Sequence, residues 1–269
     1  MNIISSPENR IVKEAASLAE KKYRDRAGCF LAEGPNLVKE AMQQGNRVRF
    51  IFIRAGAADA ETASIAEEAE AAGLAAYVLT EGAFAKVTHT ENPQPVCAVL
   101  EKRQYAPDEF FKKTDGGCLL VLDRLQDPGN VGTLLRTAEA MGFAGAVVIK
   151  GTADPWQPKV VRAAAGSLLR LPVLVCEDAA YALALLKKAE MRVYTAAMDA
   201  DLTCWDAQLS QKAAVVIGNE GAGAGEEFRK AATLLAIPMA GKTESLNAAV
   251  AGSMLMYESY RQKGQKIQS

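Results

Sequence analysis

The chain has 269 residues, 49% of them apolar and 23% charged, and its 31 Lys and Arg nearly balance its 32 Asp and Glu for a net charge of −1. That length suits two domains or one large α/β domain, and so neutral a balance counts against a protein that holds nucleic acid by bulk electrostatics. No apolar run approaches the roughly 18 residues of a membrane span and the start lacks a signal-peptide pattern, so a cytoplasmic protein away from membranes is expected, while a single histidine, His89, argues against a His-based triad or a metal site.

The first predicted element is a helix opened by Ser6-Pro7-Glu8, with Ser6 as cap and Pro7 at the first helical position, running to about Lys22. Between Arg10 and Arg26 six basic residues stand against three acidic ones. Arg10, Lys21, Lys22 and Arg24, with Tyr23 among them, are therefore candidates for RNA contact, a solvated helix face being the alternative. Strands follow near residues 29–32, 48–53, 75–79 and 95–100, with helices near 36–43, 60–72 and 81–87 between them. Residues 102–117 are polar and charged and form the best linker, which divides the chain into domains of 1–105 and 106–269.

The second half resumes with strands near 118–122, 145–149, 171–175, 192–195, 213–217 and 234–237, and a long terminal helix from Asn247 to about Gln262. Near-continuous apolar strands such as Ala213-Ala214-Val215-Val216-Ile217 predict a parallel sheet buried on both faces. The five cysteines (Cys29, Cys97, Cys118, Cys176 and Cys204) are scattered, form no C-x-x-C, and read as buried free thiols.

Ligands of a parallel open sheet bind beyond the carboxyl ends of its strands, and three such segments stand out. In Asp123 to Arg136, Asn130 falls where a helix cap is favoured, and Arg136 can meet phosphate or pair with Glu139. In Gly218-Asn219-Glu220-Gly221-Ala222-Gly223-Ala224-Gly225 the glycines demand a sharp turn or a close approach, but the G-x-G-x-x-G order of a dinucleotide loop is absent, and Glu220 would repel a phosphate. In Ile237 to Asn247, Gly241-Lys242-Thr243 echoes a P-loop without its first glycine, and Ser245 is a plausible helix cap.

Taken in order, Asp127-Pro-Gly-Asn-Val-Gly-Thr-Leu-Leu-Arg-Thr-Ala138, Ile217-Gly-Asn-Glu-Gly221, and Ile237-Pro-Met with Glu244-Ser-Leu-Asn-Ala-Ala-Val-Ala251 resemble the three motifs of the SpoU/TrmH family of RNA ribose 2′-O-methyltransferases, within the SPOUT class. Lys159-Val-Val-Arg-Ala-Ala-Ala-Gly166 also resembles a recurrent family stretch, and the N-terminal half, with Asn9-Arg10 and Phe30-Leu-Ala-Glu-Gly34, looks like the family's small α/β substrate-binding domain. Ala248 and Ala249 stand where valine and serine are more usual.

The resemblance implies a C-terminal parallel-sheet domain with a deep trefoil knot, S-adenosylmethionine as cofactor, an RNA substrate with ribosomal RNA favoured over transfer RNA, and a homodimer. It places Asn130, Arg136, Glu220, Ser245 and Asn247 at the catalytic centre, with Arg136 acting from the partner subunit, and Thr195, Gly218, Asn219, Gly221, Ile237, Met239 and Leu246 around the cofactor. The family's assignment of Arg136 as base conflicts with how firmly a guanidinium keeps its proton. Arg136 reads better as a cation that orients the hydroxyl and its phosphate, the proton passing to that phosphate or to water. The rivals are a non-catalytic RNA-binding protein of the same fold and a nucleotide-dependent oxidoreductase.

Overall fold

A computed structural model describes residues 1–45, 47–57, 59–88, 92–241 and 245–264; His89, Lys242, Thr243 and Glu244, which figure in the sequence reading, lie outside the described residues. In chain order the first elements are β1 (Asn2–Ile4), α1 (Arg10–Ser17), α2 (Lys21–Ala27), β2 (Cys29–Glu33), α3 (Pro35–Gln43), β3 (Val48–Arg54), α4 (Ala60–Ala71), β4 (Ala76–Leu79), α5 (Glu81–Thr88) and β5 (Val96–Glu101). Then come α6 (Pro107–Lys113), β6 (Leu119–Leu122), α7 (Pro128–Ala140), β7 (Gly145–Ile149), α8 (Pro158–Ala164), α9 (Ser167–Arg170), β8 (Val173–Cys176), α10 (Ala179–Lys188), β9 (Arg192–Ala196), β10 (Ala213–Ile217), α11 (Glu226–Ala231), β11 (Thr233–Leu235) and α12 (Ala248–Gln262).

The first compact unit comprises residues 1–102 together with 156–169. Its sheet has the order β1-β4-β3-β5-β2, parallel from β1 to β3 and antiparallel from β3 to β2. Side chains alternate across the sheet, so Leu31, Phe52, Cys97 and Val99 enter a core with Val12, Leu18 and Phe84, while Phe30, Ile51, Ile53 and Ala98 enter another with Val38, Ile65, Val161 and Leu169. The segment 156–169 thus supplies part of this unit's core. Trp156 also lies under Lys102 Nζ, 4.8 Å from the ring centroid, and the same Nζ reaches Asp25 at 2.8 Å.

The single N-terminal helix expected from Ser6 is instead two helices. Asn9, not Ser6, caps the first through its side chain, which accepts from Ile11 N at 2.9 Å. The break follows from Arg24, whose Nη1 donates to the carbonyl oxygens of Leu18 and Ala19, both at 2.7 Å, where the helix would otherwise continue.

The second unit covers residues 103–155 and the chain from 170 onward, and its six strands, in the order β11-β9-β10-β6-β7-β8, are all parallel, as the apolar runs predict. Leu119, Val121, Val147 and Val216 face a core with Phe110 and Phe228. Phe110 is fully buried in α6, so a packed helix occupies the stretch read as linker. On the other face α12 crosses α7 and β10; a Cβ on Gly252 would lie 2.3 Å from Leu134 Cδ2, so any side chain there would have to displace the buried Leu134. The five cysteines are buried and free. Among the described residues no helix is long and apolar enough to cross a membrane.

Candidate active site

β6 and β10 are neighbours, with Leu122 opposite Ile217, so parallel pairing alone brings the chain after β6 beside the chain after β10. Asp123, the first residue beyond β6, is 1% exposed, and its Oδ2 accepts from Gly225 N at 2.6 Å. Arg124 follows in the left-handed region (φ 59°) and turns its guanidinium back onto Asp123, with Nε 3.1 Å from Oδ1. That turn frees the Arg124 carbonyl to accept from Gln126 Nε2 and Asn219 Nδ2, both at 3.0 Å, while Arg124 N donates to Thr152 Oγ1 at 2.9 Å.

The loop after β10 is a tight hairpin. Asn219 and Gly223 exchange backbone hydrogen bonds at 2.9 Å, and Asn219 Oδ1 accepts from Gly221 N and Ala222 N at 3.0 Å. A Cβ on Gly218 would lie 2.0 Å from Ala224 N, so this position admits only glycine. The hairpin presents Glu220 toward the start of α7. Glu220 Oε1 accepts from Asp127 N and Asn130 Nδ2, and Oε2 from Gln126 N, all at 3.1 Å. Asn130 Oδ1 then accepts from Asn247 Nδ2 at 3.1 Å. Asn247 Oδ1 in turn accepts from Ala249 N at 2.9 Å and Val250 N at 3.2 Å. One hydrogen-bonded chain, Glu220 to Asn130 to Asn247, therefore joins all three segments.

Two capping expectations are corrected by this chain. Asp127 caps α7, its Oδ1 accepting from Asn130 N at 2.8 Å, and this releases the Asn130 side chain to reach Glu220. Asn247, not Ser245, caps α12, and Ser245 is exposed just before it. Arg136 is exposed on α7; the pairing with Glu139 does not form, because Glu139 holds Arg170 through two bonds of 2.8 and 3.2 Å.

The protonation state of the carboxylate follows from its surroundings. Partial burial pushes the Glu220 carboxyl up, but hydrogen bonds from Asn130 and the backbone N–H groups of Gln126 and Asp127 outweigh it, and the group lies below its ordinary value. Glu220 is thus an anion at neutral pH with three donors already on it, an anchor and a poor base. Asn130 and Asn247 each keep one amide N–H beyond those used in the chain, and they border an open concavity of about 530 Å³ with Thr133, Val250, Met254 and Tyr257. The site can therefore donate to an oxygen-rich, anionic substrate.

Of the residues expected around a cofactor, Gly218, Asn219 and Gly221 lie in the hairpin, and Asn219 spends its side chain holding that loop in shape. Ile237 and Met239 follow β11, Leu246 precedes α12, and Thr195 is buried in β9, its Oγ1 without a hydrogen-bond partner among the described residues. Among the basic candidates Arg10, Lys21 and Lys22 are exposed, with Lys22 3.2 Å from Glu20. Arg24 is not available to RNA: it is 3% exposed and committed to the Leu18 and Ala19 carbonyls. Sequence reasoning missed Asp123 and Arg124 as supports, although a carboxylate directly after a buried strand is a recognisable sign.

Comparison with known proteins gives two family matches, the SpoU rRNA Methylase family over residues 117–257 and an MRM3-like substrate binding domain over residues 9–98. The chain is 36% identical to the 23S rRNA (guanosine(2553)-2′-O)-methyltransferase RlmP of Bacillus subtilis, covering 96% of this chain and 98% of that one. It is 31% identical to the 23S rRNA (guanosine-2′-O-)-methyltransferase RlmB of Nitrosomonas europaea over 84% of this chain and 89% of the relative. The AdoMet-bound rRNA methyltransferase from Sinorhizobium meliloti superposes with a TM-score of 0.85 at 29% identity, covering 97% of both chains.

Proposed function

The chain belongs to the SpoU rRNA methylase family, and on that premise we propose that it transfers a methyl group from S-adenosylmethionine to a ribose 2′-hydroxyl of large-subunit ribosomal RNA. The observation that carries this reading is the Glu220–Asn130–Asn247 chain, which welds three separate sequence motifs into one donor-rich site.

S-adenosylmethionine supplies, when bound, an electrophilic methyl on a cationic sulfur. The residues suit it: a carboxylate held ionised favours a sulfonium nearby, and the Thr195 hydroxyl is buried with no hydrogen-bond partner among the described residues. Gly218, Asn219, Gly221, Ile237, Met239 and Leu246 would hold it together with Thr195. Asn130 and Asn247 hold the substrate backbone through their spare amide N–H groups. Arg136, always protonated, orients the hydroxyl and its phosphate, and the proton leaves to that phosphate or to water. Alignment of this kind contributes about 7–11 kcal/mol in the best intramolecular cases.

The same proposal includes a cytoplasmic homodimer. Val250, Met254 and Tyr257 form an exposed stripe at helical spacing on α12, 44%, 47% and 60% exposed, beside the face of α7 that carries Thr133 and Arg136. A second copy seated there would bring its Arg136 to this site. The first unit, with Arg10, Lys21 and Lys22 outward, binds RNA.

The test is transfer of tritium from labelled S-adenosylmethionine to ribosomal RNA purified from a strain lacking the gene, followed by mapping of the 2′-O-methyl position. Incorporation into a large-subunit ribose is expected. RNA binding without incorporation would favour the non-catalytic rival, and incorporation into transfer RNA alone would reassign the substrate.

A further inference from the structure

Three large apolar side chains, Met198, Trp205 and Met239, are exposed by 68%, 66% and 40%. All lie on the connections that leave the carboxyl ends of β9 and β11, which are neighbouring strands. Backbone hydrogen bonds hold the two connections side by side: Ala197 N to Leu235 O at 3.0 Å, Ala236 N to Leu202 O at 2.8 Å, and Cys204 N to Ala236 O at 2.9 Å. Met198 and Trp205 each follow a pinned residue directly, and Met239 comes three residues after Ala236.

The turn that carries Trp205 is constrained from several sides. Thr203 Oγ1 donates to Asp206 Oδ2 at 2.6 Å across the turn. From α12, Gln262 Nε2 donates to Ala207 O at 2.9 Å, Gln262 Oε1 accepts from Leu209 N at 2.8 Å, and Ser259 Oγ donates to Leu209 O at 2.7 Å. An indole left two-thirds exposed on backbone fixed in this way is a preformed flat surface, ordered before any partner arrives.

Resting on the function proposed above, we propose that Trp205, on a rim shared with Met198 and Met239, is the platform on which an unpaired base of the RNA substrate stacks next to the loop entering the methyl-transfer site. Sequence-specific proteins read RNA mainly through bases splayed from the helix and stacked on aromatic rings. A small cofactor is instead enclosed over most of its surface, whereas Trp205 and Met198, each about two-thirds exposed, stand outward.

Trp205→Ala and Trp205→Phe are assayed for methyl transfer to ribosomal RNA from the deletion strain, for S-adenosylmethionine affinity by calorimetry, and for binding of that RNA on filters. Trp205→Ala should raise the KM for RNA about tenfold, the order of one lost base stack, leaving kcat at saturating RNA and cofactor affinity unchanged. Trp205→Phe should recover most of the loss. Trp205→Leu, apolar without a ring, carries the same test if the alanine variant does not fold, and should behave as a loss. The proposal is overturned if RNA affinity is unmoved, if cofactor affinity falls instead, or if the substitution changes the sedimenting species. Wild-type protein that binds the RNA but transfers no methyl would sink the proposed activity while leaving the stacking measurement valid.

Discussion

Replacing Glu220 by Gln asks whether a carboxylate, rather than any acceptor, holds the three motifs together. Oε1 now accepts from two donors and Oε2 from a third, each at 3.1 Å. An amide has one acceptor oxygen, so in either orientation its NH₂ faces at least one N–H. A charge-assisted hydrogen bond contributes about 1.5–3 kcal/mol, and the lower end applies because the group is exposed. If that loss appears as misalignment of Asn130 in the transition state, kcat falls about tenfold, and Glu220→Ala, which removes every acceptor, should approach 100-fold. The assay is single-turnover methyl transfer at saturating RNA, with thermal unfolding as control. The pH behaviour has a definite sign. A carboxyl whose folded pKa lies below its unfolded value, about 4.3, contributes stability that is full above pH 4.3 and is lost as pH falls through the lower, folded value. Between pH 6 and 8 neither kcat nor stability should respond to Glu220. A glutamine variant with wild-type kcat, or an activity limb near pH 7 that glutamine abolishes, would refute the anchoring role.

Arg136→Lys keeps the charge but loses the planar fork, and should lower kcat/KM by about 10- to 100-fold, measured on the same RNA; near-full activity would remove the orienting role. Gly218→Ala forces a methyl to within 2.0 Å of Ala224 N, so unfolding should occur several degrees lower, at a cost of about 1–3 kcal/mol, with cofactor affinity weakened in calorimetry. Tyr257→Asp places a charge in the exposed α12 stripe and should shift the species seen in sedimentation toward the monomer, with activity falling in parallel; an active monomer would exclude a contribution of Arg136 from a partner subunit.

The strands of the second unit were legible because a strand buried on both faces must be apolar throughout, and β7 and β10 lie where their runs of Gly145 to Ile149 and Ala213 to Ile217 place them. What composition could not convey is anything decided by a distant partner. Ser6 and Asn9 are equally good caps on paper, and only Arg24 reaching back to the Leu18 carbonyl fixes where the first helix stops. The same arginine looks like a surface cation until tertiary packing covers it. In the site, the loops were visible as polar, glycine-rich interruptions after strands, whereas the roles of Asn130 and Asn247 required knowing that Asp127 takes over the cap of α7. Asp123 and Arg124 act through a positive φ and a bond to Gly225, about a hundred residues later, which no local pattern reports. The knot implied by the family leaves no trace in periodicity at all.

The stretch from Trp156 to Leu169 has a consequence for how the protein is made. The first sheet is encoded before residue 102, yet the face bearing Phe30, Ile51 and Ile53 is closed by Trp156, Val161 and Leu169. A ribosome adding about 5–20 residues per second needs roughly 3 to 13 seconds to travel from one to the other. For that interval α3 and α4 already cover this face through Val38, Ala41, Ile65 and Ala69, but the part that Trp156, Val161 and Leu169 fill stays open, so the core cannot finish packing in order of emergence. Completion of that core waits for a strap synthesised in the middle of the other unit, so the last of its apolar surface is covered only after the chain has moved on to a second sheet.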